Sequence, residues 1–417
     1  MDLIVEKDTM ELVTNTSVKD LKITVVGVGG AGGNAINSMV SFGLTGVEYI
    51  AANTDAQDLK KSRANIRLQL GATLTKGLGA GGDPEIGQEA AKESKDEIEN
   101  LLKETDMLII SAGMGGGTGT GAAPVIASIA NKMEILTMAI VSLPNDFEGT
   151  KRKERAQKGI NELTKYVDSM IVYPNDKIQE TFEVPLKASF LKADEVIANS
   201  TQSIVEIVRD IGHINLDFAD IETLLKKSGY AFIGTGCAEG EDRAQKAAEI
   251  ALSNPLLADN DLSGCKALIV SAVLGNDFMG KEYQQMMDVI IHVTGNTENI
   301  KPGITFDDNM DGKARVTIIA TGLPPSDAIQ KMGCEKEAIK EKKQPVLQSP
   351  IPPIFIDPEI QNVNISDEFE EIVGRIQKNS AELIPPKLET TPSTPANISS
   401  QVYGCTEPPP FLKKLFS

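Results

Sequence analysis

The 417-residue chain is poor in several things at once: it has no tryptophan, two histidines and four cysteines, and its 41 Lys and Arg are outnumbered by 59 Asp and Glu, for a formal charge of −18. The shortage of basic residues excludes a broad electrostatic grip on nucleic acid, because phosphate-binding surfaces need clustered Lys and Arg to displace counterions. His213 and His292 are too few for His-based metal or triad chemistry. Cys237, Cys265, Cys334 and Cys405 form no Cys-x-x-Cys or Cys/His cluster, so no zinc site is encoded and reduced, buried or incidental thiols are expected. No apolar run approaches the roughly 18–20 residues of a membrane-spanning helix, so direct membrane insertion is not expected. Residues 1–20 mix acids with apolar residues and lack the apolar core of a secretory leader, which points to a cytoplasmic location.

What is present is unevenly distributed. Twelve of the 21 prolines lie between Pro345 and Pro410, among Ser, Thr, Gln, Asn and charged residues. Such a stretch buries too little apolar surface to offset its ordering entropy, so 331–405 reads as a disordered linker, with SDEFEEIVGRI (366–376) able to form a transient helix. The last residues, 406–417, turn apolar and basic in PPPFLKKLFS, the character of a docking peptide on a tether. Upstream, apolar β-branched runs such as LKITVVG (21–27), VEYIAAN (47–53), MLIISAG (107–113) and ILTMAIVSLP (135–144) alternate with segments of helical period. That pattern predicts an α/β domain with a parallel sheet over 21–188. A long breaker-poor helix and a following loop occupy 189–220, a smaller mixed α/β domain 221–330, and an N-terminal extension 1–20.

Three glycine clusters follow predicted strands. GVGGAGGN (27–34) contains G-x-G-x-x-G at a strand-to-helix turn, where backbone N–H groups hold phosphate. A dinucleotide enzyme on a Rossmann fold would add an acid at the end of the next strand, and Glu48 instead opens it. GMGGGTGTGAAP (113–124) repeats the arrangement after another strand, with the hydroxyls of Thr118 and Thr120 beside a backbone nest. Two such loops on one sheet imply one polyphosphate gripped from two sides. TKGLGAGGDPEIG (75–87) reads as a mobile loop ending in a capped helix with Pro84 in its first turn. GNDFMGK (275–281) fits the P-loop spacing, but Glu282 stands where Ser or Thr would ligate magnesium and Asp277 would face phosphate, so a P-loop enzyme is not expected.

In this order, VGVGGAGGNA, AANTDAQDL, TKGLGAGGDPEIG, GGGTGTG, LPNDFEGTKR, YPND and NLDFADI resemble segments of FtsZ, the family of tubulin-like cell-division GTPases, from about Leu21 to Gly322. The extended N-terminus and the LPNDFEG wording lean toward an archaeal-type member. The resemblance implies a Rossmann-like parallel-sheet GTPase domain, a long central helix, a smaller C-terminal domain and a disordered tail. It implies GTP or GDP as ligand, with Mg2+, and no dedicated metal residues. Gly30, Ala31, Gly32, Gly33 and Asn34 would contact the nucleotide, and Gly115, Gly116, Gly117, Thr118, Gly119, Thr120 and Gly121 would wrap its phosphates. Glu148 and Arg152 would meet ribose and base edge, or simply form a surface ion pair. Asn175 and Asp194 would read guanine, with Phe190 against the base, although an acid opening a helix is also favoured by the macrodipole.

The resemblance further implies that Asn215, Asp217 and Asp220 sit on the face opposite the nucleotide and complete the next subunit's active site. They would orient or activate the attacking water. Capping of a short helix at 220–227 would be a purely local role for all three. A head-to-tail contact of unlike faces does not close, so it builds a linear homopolymer. The tail would dock a membrane-tethering division protein through Phe411, Leu412, Lys413 and Lys414, at the mid-cell division ring. Two different functions stay open beside this one: a dinucleotide-dependent Rossmann enzyme, and a homologue that binds nucleotide without hydrolysing it.

Overall fold

The computed structural model describes residues 21–181, 185–209, 213–214, 216–253, 262–295, 299–325 and 329. The expected N-terminal extension, linker and docking peptide lie outside the described residues, as do Asn215, Phe411, Leu412, Lys413 and Lys414. The first half alternates as the apolar runs predict: β1 (Ile23–Val28), α1 (Gly29–Ser41), β2 (Glu48–Asn53), α2 (Ala56–Lys61), β3 (Ile66–Gln69), α3 (Ala72–Thr75), α4 (Pro84–Glu93), α5 (Lys95–Leu102), β4 (Met107–Gly113), α6 (Thr118–Lys132), β5 (Leu136–Leu143), α7 (Thr150–Leu163), β6 (Ser169–Pro174) and α8 (Asn175–Thr181). A long helix, α9 (Leu186–Arg209), leads to α10 (Phe218–Leu225), β7 (Gly229–Glu239), α11 (Arg243–Leu252), β8 (Ala267–Leu274), α12 (Gly280–Thr294), β9 (Ile300–Phe306) and β10 (Lys313–Leu323).

These strands form one ten-stranded sheet in the order β3-β2-β1-β4-β5-β6-β7-β10-β8-β9. The half from β3 to β6 is parallel throughout. Its strands are buried on both faces, which is why they read as continuous apolar runs rather than alternating ones. On β1, Ile23 and Val25 belong to the core on one face, which also holds Ile36 and Met39 of α1 and Ile204 of α9. Val26 and Val28 belong to the core on the other, with Ile126 of α6 and Ile160 of α7. In the second half β10 runs antiparallel to β7 and β8, so this part is mixed. Helix starts follow local chemistry: Asp83 accepts the Glu85 N–H at 2.9 Å, with Pro84 as the first residue of α4.

The two halves meet at a narrow parallel seam, where only Ser169 pairs with Gly229 and Met170 with Tyr230. Asp168 reinforces it. Its buried carboxylate accepts the Thr137 N–H at 2.9 Å and the Lys227 N–H at 3.3 Å, while its carbonyl accepts the Gly229 N–H at 3.1 Å. Cys265 is a free, buried thiol.

Asp168→Ala strands the fully buried Thr137 amide, and loss of one partner of a buried hydrogen bond costs about 1–3 kcal/mol. A lower urea midpoint is expected, with a smaller drop for Asp168→Asn, which keeps an acceptor. An alanine variant as stable as wild type would remove Asp168 from the seam.

Candidate active site

Strand order reverses between β1 and β4, the point in an open α/β sheet where ligands bind beyond the strand ends. A cavity of about 250 Å3 lies there. Gly29, Gly30 and Ala31 line it after β1, Gly116, Gly117, Thr118 and Gly119 after β4, Ser142 at the end of β5 with Glu148 and Arg152 after it, and Asn175 closes it after β6. Close approach of backbone explains the glycines. Gly29 has φ +72°, and a Cβ there would lie 3.0 Å from the Gly119 nitrogen, so the starts of α1 and α6 abut. A Cβ on Gly32 would fall 2.3 Å from the Ser111 carbonyl oxygen, so α1 rests directly on β4. Two helix N-termini with their unpaired N–H groups therefore open onto one cavity, a ready-made anion cradle.

The heptamer 115–121 divides its labour. Residues 116–119 line the cavity, whereas the Gly115 N–H donates to Thr120 Oγ1 at 2.8 Å and braces the turn. Gly121 faces the other way, where a Cβ would meet the Pro84 carbonyl at 2.0 Å. Thr118 Oγ1 and Thr54 Oγ1 share a hydrogen bond of 2.7 Å that ties the loop to the end of β2, a link no local motif announces. Gly32, Gly33 and Asn34 continue α1 and are not among the lining residues.

Glu148 and Arg152 form an ion pair of 2.8 Å and both face the cavity. They do not share one helix: Glu148 ends a 3-10 turn, and Gly149 at φ +89° separates it from α7. Asn145 fixes Glu148 through its backbone N–H at 2.8 Å and its side-chain N–H at 3.2 Å. The motif reading of the sequence misses that brace, although the N-x-x-E spacing is a helix-start signature. Asn175 Oδ1 is buried without a hydrogen-bond partner, an acceptor aimed where a donor is missing. Phe190, 46% exposed, and Asp194 lie in the N-terminal part of α9 and do not line the cavity; α9 begins at Leu186 with no acid in its first turn, so Asp194 does not open the helix as expected. Burial pushes the Asp194 carboxyl up to about 7.

The acids of the NLDFADI segment lie far away. Helix α9 has 24 residues, a rise of about 36 Å, and carries the chain from the cavity end of β6 back toward its first residue, Ser169, which pairs with the start of β7. There the chain is laid along β9: the His213 and Ile214 N–H groups donate to the Ile304 carbonyl at 2.7 and 3.1 Å, and the His213 ring meets Phe306 edge-on. Asp217 occupies the N-cap position of α10, yet its side chain makes no capping bond and is exposed. Asp220, in the first turn, pairs with Lys301 Nζ at 2.8 Å. Helix capping therefore leaves both carboxylates unexplained.

Neither a P-loop nor a dinucleotide site fits the structure. The P-loop-like stretch has its acids engaged elsewhere, since Asp277 and Glu282 both pair with the buried Arg243. A dinucleotide site would want an acid at the end of β2, where Asn53 stands, and Glu48 at the start pairs with Lys22 at 3.3 Å. Among the described residues no group of three or more His, Cys, Asp and Glu could hold a metal ion. Magnesium commonly arrives on substrate phosphates and keeps several waters, so it needs no cage of protein side chains.

Comparison with known proteins agrees with this geometry. The model of the Tubulin/FtsZ family GTPase domain matches residues 22–183, and that of the FtsZ family C-terminal domain matches residues 229–324. The chain is 44% identical over 318 residues to the cell division protein FtsZ of Buchnera aphidicola subsp. Baizongia pistaciae, covering 76% of this chain and 81% of the relative. It is 45% identical over 315 residues to that of Pseudomonas aeruginosa, covering 75% and 80%. A solved empty FtsZ dimer from M. jannaschii aligns with a TM-score of 0.67 and 40% identity, over 72% of this chain and 88% of that one. The likeness spans bacterial and archaeal members, and no particular leaning to the archaeal type emerges.

A carboxyl whose folded pKa lies above the ordinary 3.8 has its full stability below that value and loses it as pH rises toward about 7. Asp194→Asn, neutral throughout, is expected to raise the melting temperature of the nucleotide-free protein at pH 8 and to leave it near wild type at pH 4. Equal shifts at both pH values would show that ionisation of the half-buried Asp194 carboxyl is not the cause.

Proposed function

The chain belongs to the FtsZ family of cell-division GTPases, which polymerise into filaments, and from that premise we propose how its residues divide the work. GTP phosphates sit on the N-termini of α1 and α6, with Gly30, Ala31 and residues 116–119 supplying backbone donors. Glu148 and Arg152 meet the ribose and base edge, and Phe190 packs against the base. Asn175 and Asp194 accept from the N1–H and 2-amino group of guanine, a donor pair adenine lacks. The partnerless Asn175 Oδ1 supports this reading, since an unsatisfied buried acceptor favours a ligand that donates to it. Magnesium enters with the nucleotide.

Hydrolysis is completed by the next subunit. Asn215, Asp217 and Asp220 orient the water that attacks the γ-phosphorus, and a carboxylate takes the proton as GDP leaves. The observation that carries this is the length of α9: it runs about 36 Å away from the cavity end of β6 before the acids are reached, so they would not meet their own chain's nucleotide, but a head-to-tail neighbour can bring them. Acids held permanently beside a triphosphate would repel it, whereas acids delivered by assembly act after nucleotide has loaded. We further propose the division into a GTP-binding part at 21–188, a connecting helix and loop at 189–220 and a C-terminal α/β part at 221–330. A linker at 331–405 and a peptide at 406–417 would dock a membrane-tethering division protein through Phe411, Leu412, Lys413 and Lys414. No helix among the described residues is long and apolar enough to cross a membrane, and the chain would act in the cytoplasm at the mid-cell ring.

GTPase activity per subunit should rise cooperatively with protein concentration, and Asp220→Ala should lower it by about 10²–10⁴-fold while GTP binding to the single subunit persists. Wild-type turnover in that variant would sink the reading. Deleting residues 408–417 should abolish recruitment to membranes carrying the tethering partner and leave hydrolysis intact. Undiminished recruitment would dismiss the docking role.

A further inference from the structure

The acidic loop carries a basic residue that no sequence motif points to. Lys301, the second residue of β9, reaches across 81 positions of chain to place its ammonium 2.8 Å from Asp220 Oδ1. The same strand shapes the rest of the loop. Ile304 exchanges backbone hydrogen bonds with Ile214, and Gly303 leaves room for Leu216, whose Cδ1 would lie 2.9 Å from a Cβ at that position. Just past the end of α10, Lys226 is engaged elsewhere, since it pairs with Glu222. Lys301 is therefore the cation that β9 supplies to Asp220, and the loop and its counter-charge move as one piece.

Stability does not explain the pair. Its side chains are 45% and 36% exposed, and ion pairs so open to water contribute little to folding. Presented to a bound triphosphate in a closing, water-poor interface, the same groups interact far more strongly. Two bare carboxylates would there be repelled by the phosphates. With Lys301 in place, Asp217 stays uncompensated and Asp220 arrives already paired.

We propose that Lys301 is a positioning residue for GTP hydrolysis. It fixes the Asp220 carboxylate in the attitude in which it meets the neighbouring subunit's nucleotide, and it cancels one of the two negative charges the loop carries to the phosphates. The proposal rests on the reading that Asp220 acts in trans.

The test uses full-length protein and the variants Lys301→Gln, Lys301→Arg, Asp220→Asn and the double variant Lys301→Gln/Asp220→Asn. Turnover is measured at saturating GTP and protein, alongside GTP affinity of the unassembled subunit and melting temperature. Lys301→Gln should lower turnover by about 10- to 100-fold, up to the scale of a catalytic group misplaced by about an ångström, and leave GTP affinity and melting temperature at wild-type values. Lys301→Arg should restore most of the turnover, and Lys301→Gln should cost nothing more once Asp220 is Asn. Wild-type turnover in Lys301→Gln overturns the proposal, as does faster turnover, which would make the pair a restraint. An added loss in the Asp220→Asn background overturns it too, because Lys301 would then act independently. If Asp220→Asn itself retains wild-type turnover, the trans-carboxylate reading falls and this one with it. An inactive Asp220→Asn beside a fully active Lys301→Gln removes Lys301 alone.

Discussion

The close approach of α1 to β4 and α6 is the constraint on which the rest of the molecule depends. With Gly32 against the Ser111 carbonyl and Gly29 against Gly119, no side chain fits between the two loops, and the helices start side by side. A Cβ at either position would push the helix starts apart and divide one cradle into two weaker ones. Everything else in the cavity is arranged around this contact. Thr54 ties the second loop to β2, Thr120 holds its turn, and Asn145 fixes the Glu148 that borders it.

Helix α9 is the second determinant, because under the head-to-tail reading proposed above it divides the work of one site between two half-sites. Its apolar face, including Ile197, Ile204 and Val205, packs on the same side of the sheet as α1, so its direction is set by the core rather than by any loop. The acids after it therefore keep a fixed distance from the cavity. A flexible connection would let one chain satisfy both roles; a packed helix of this length does not.

Much of this is legible in local sequence, for physical reasons. Strands buried on both faces leave unbroken apolar runs, and a phosphate loop needs glycine where backbone must approach, so both features write themselves into adjacent residues. The sequence pattern starts the long helix at about residue 189 and the helix begins at Leu186, within the usual uncertainty of helix ends. What stays hidden lies between distant residues. Asp168 joins the two halves through amides 31 and 59 positions away, and Thr54 meets Thr118 across 64. Lys301 meets Asp220 across 81. Such pairs follow from which strands lie side by side. Alternation of strand and helix in the second half does not say that β7 will add to β6 and make one sheet of ten.

Charge and topology together bear on how a strongly acidic protein would use acids on a triphosphate under the proposed reading. With a net charge of −18, subunits repel at long range, and that repulsion is screened beyond a Debye length of about 8 Å at physiological salt. Contact is then decided by groups at the junction, where a cavity edged by Arg152 would face a loop whose second acid is already paired with Lys301. Under the head-to-tail reading each junction contains one cavity and one acidic loop, contributed by different chains. A filament therefore ends in an uncovered cavity at one tip and an uncovered acidic loop at the other, so the two tips differ chemically. Nucleotide at the first tip lacks the acids that would turn it over, whereas every interior nucleotide has them.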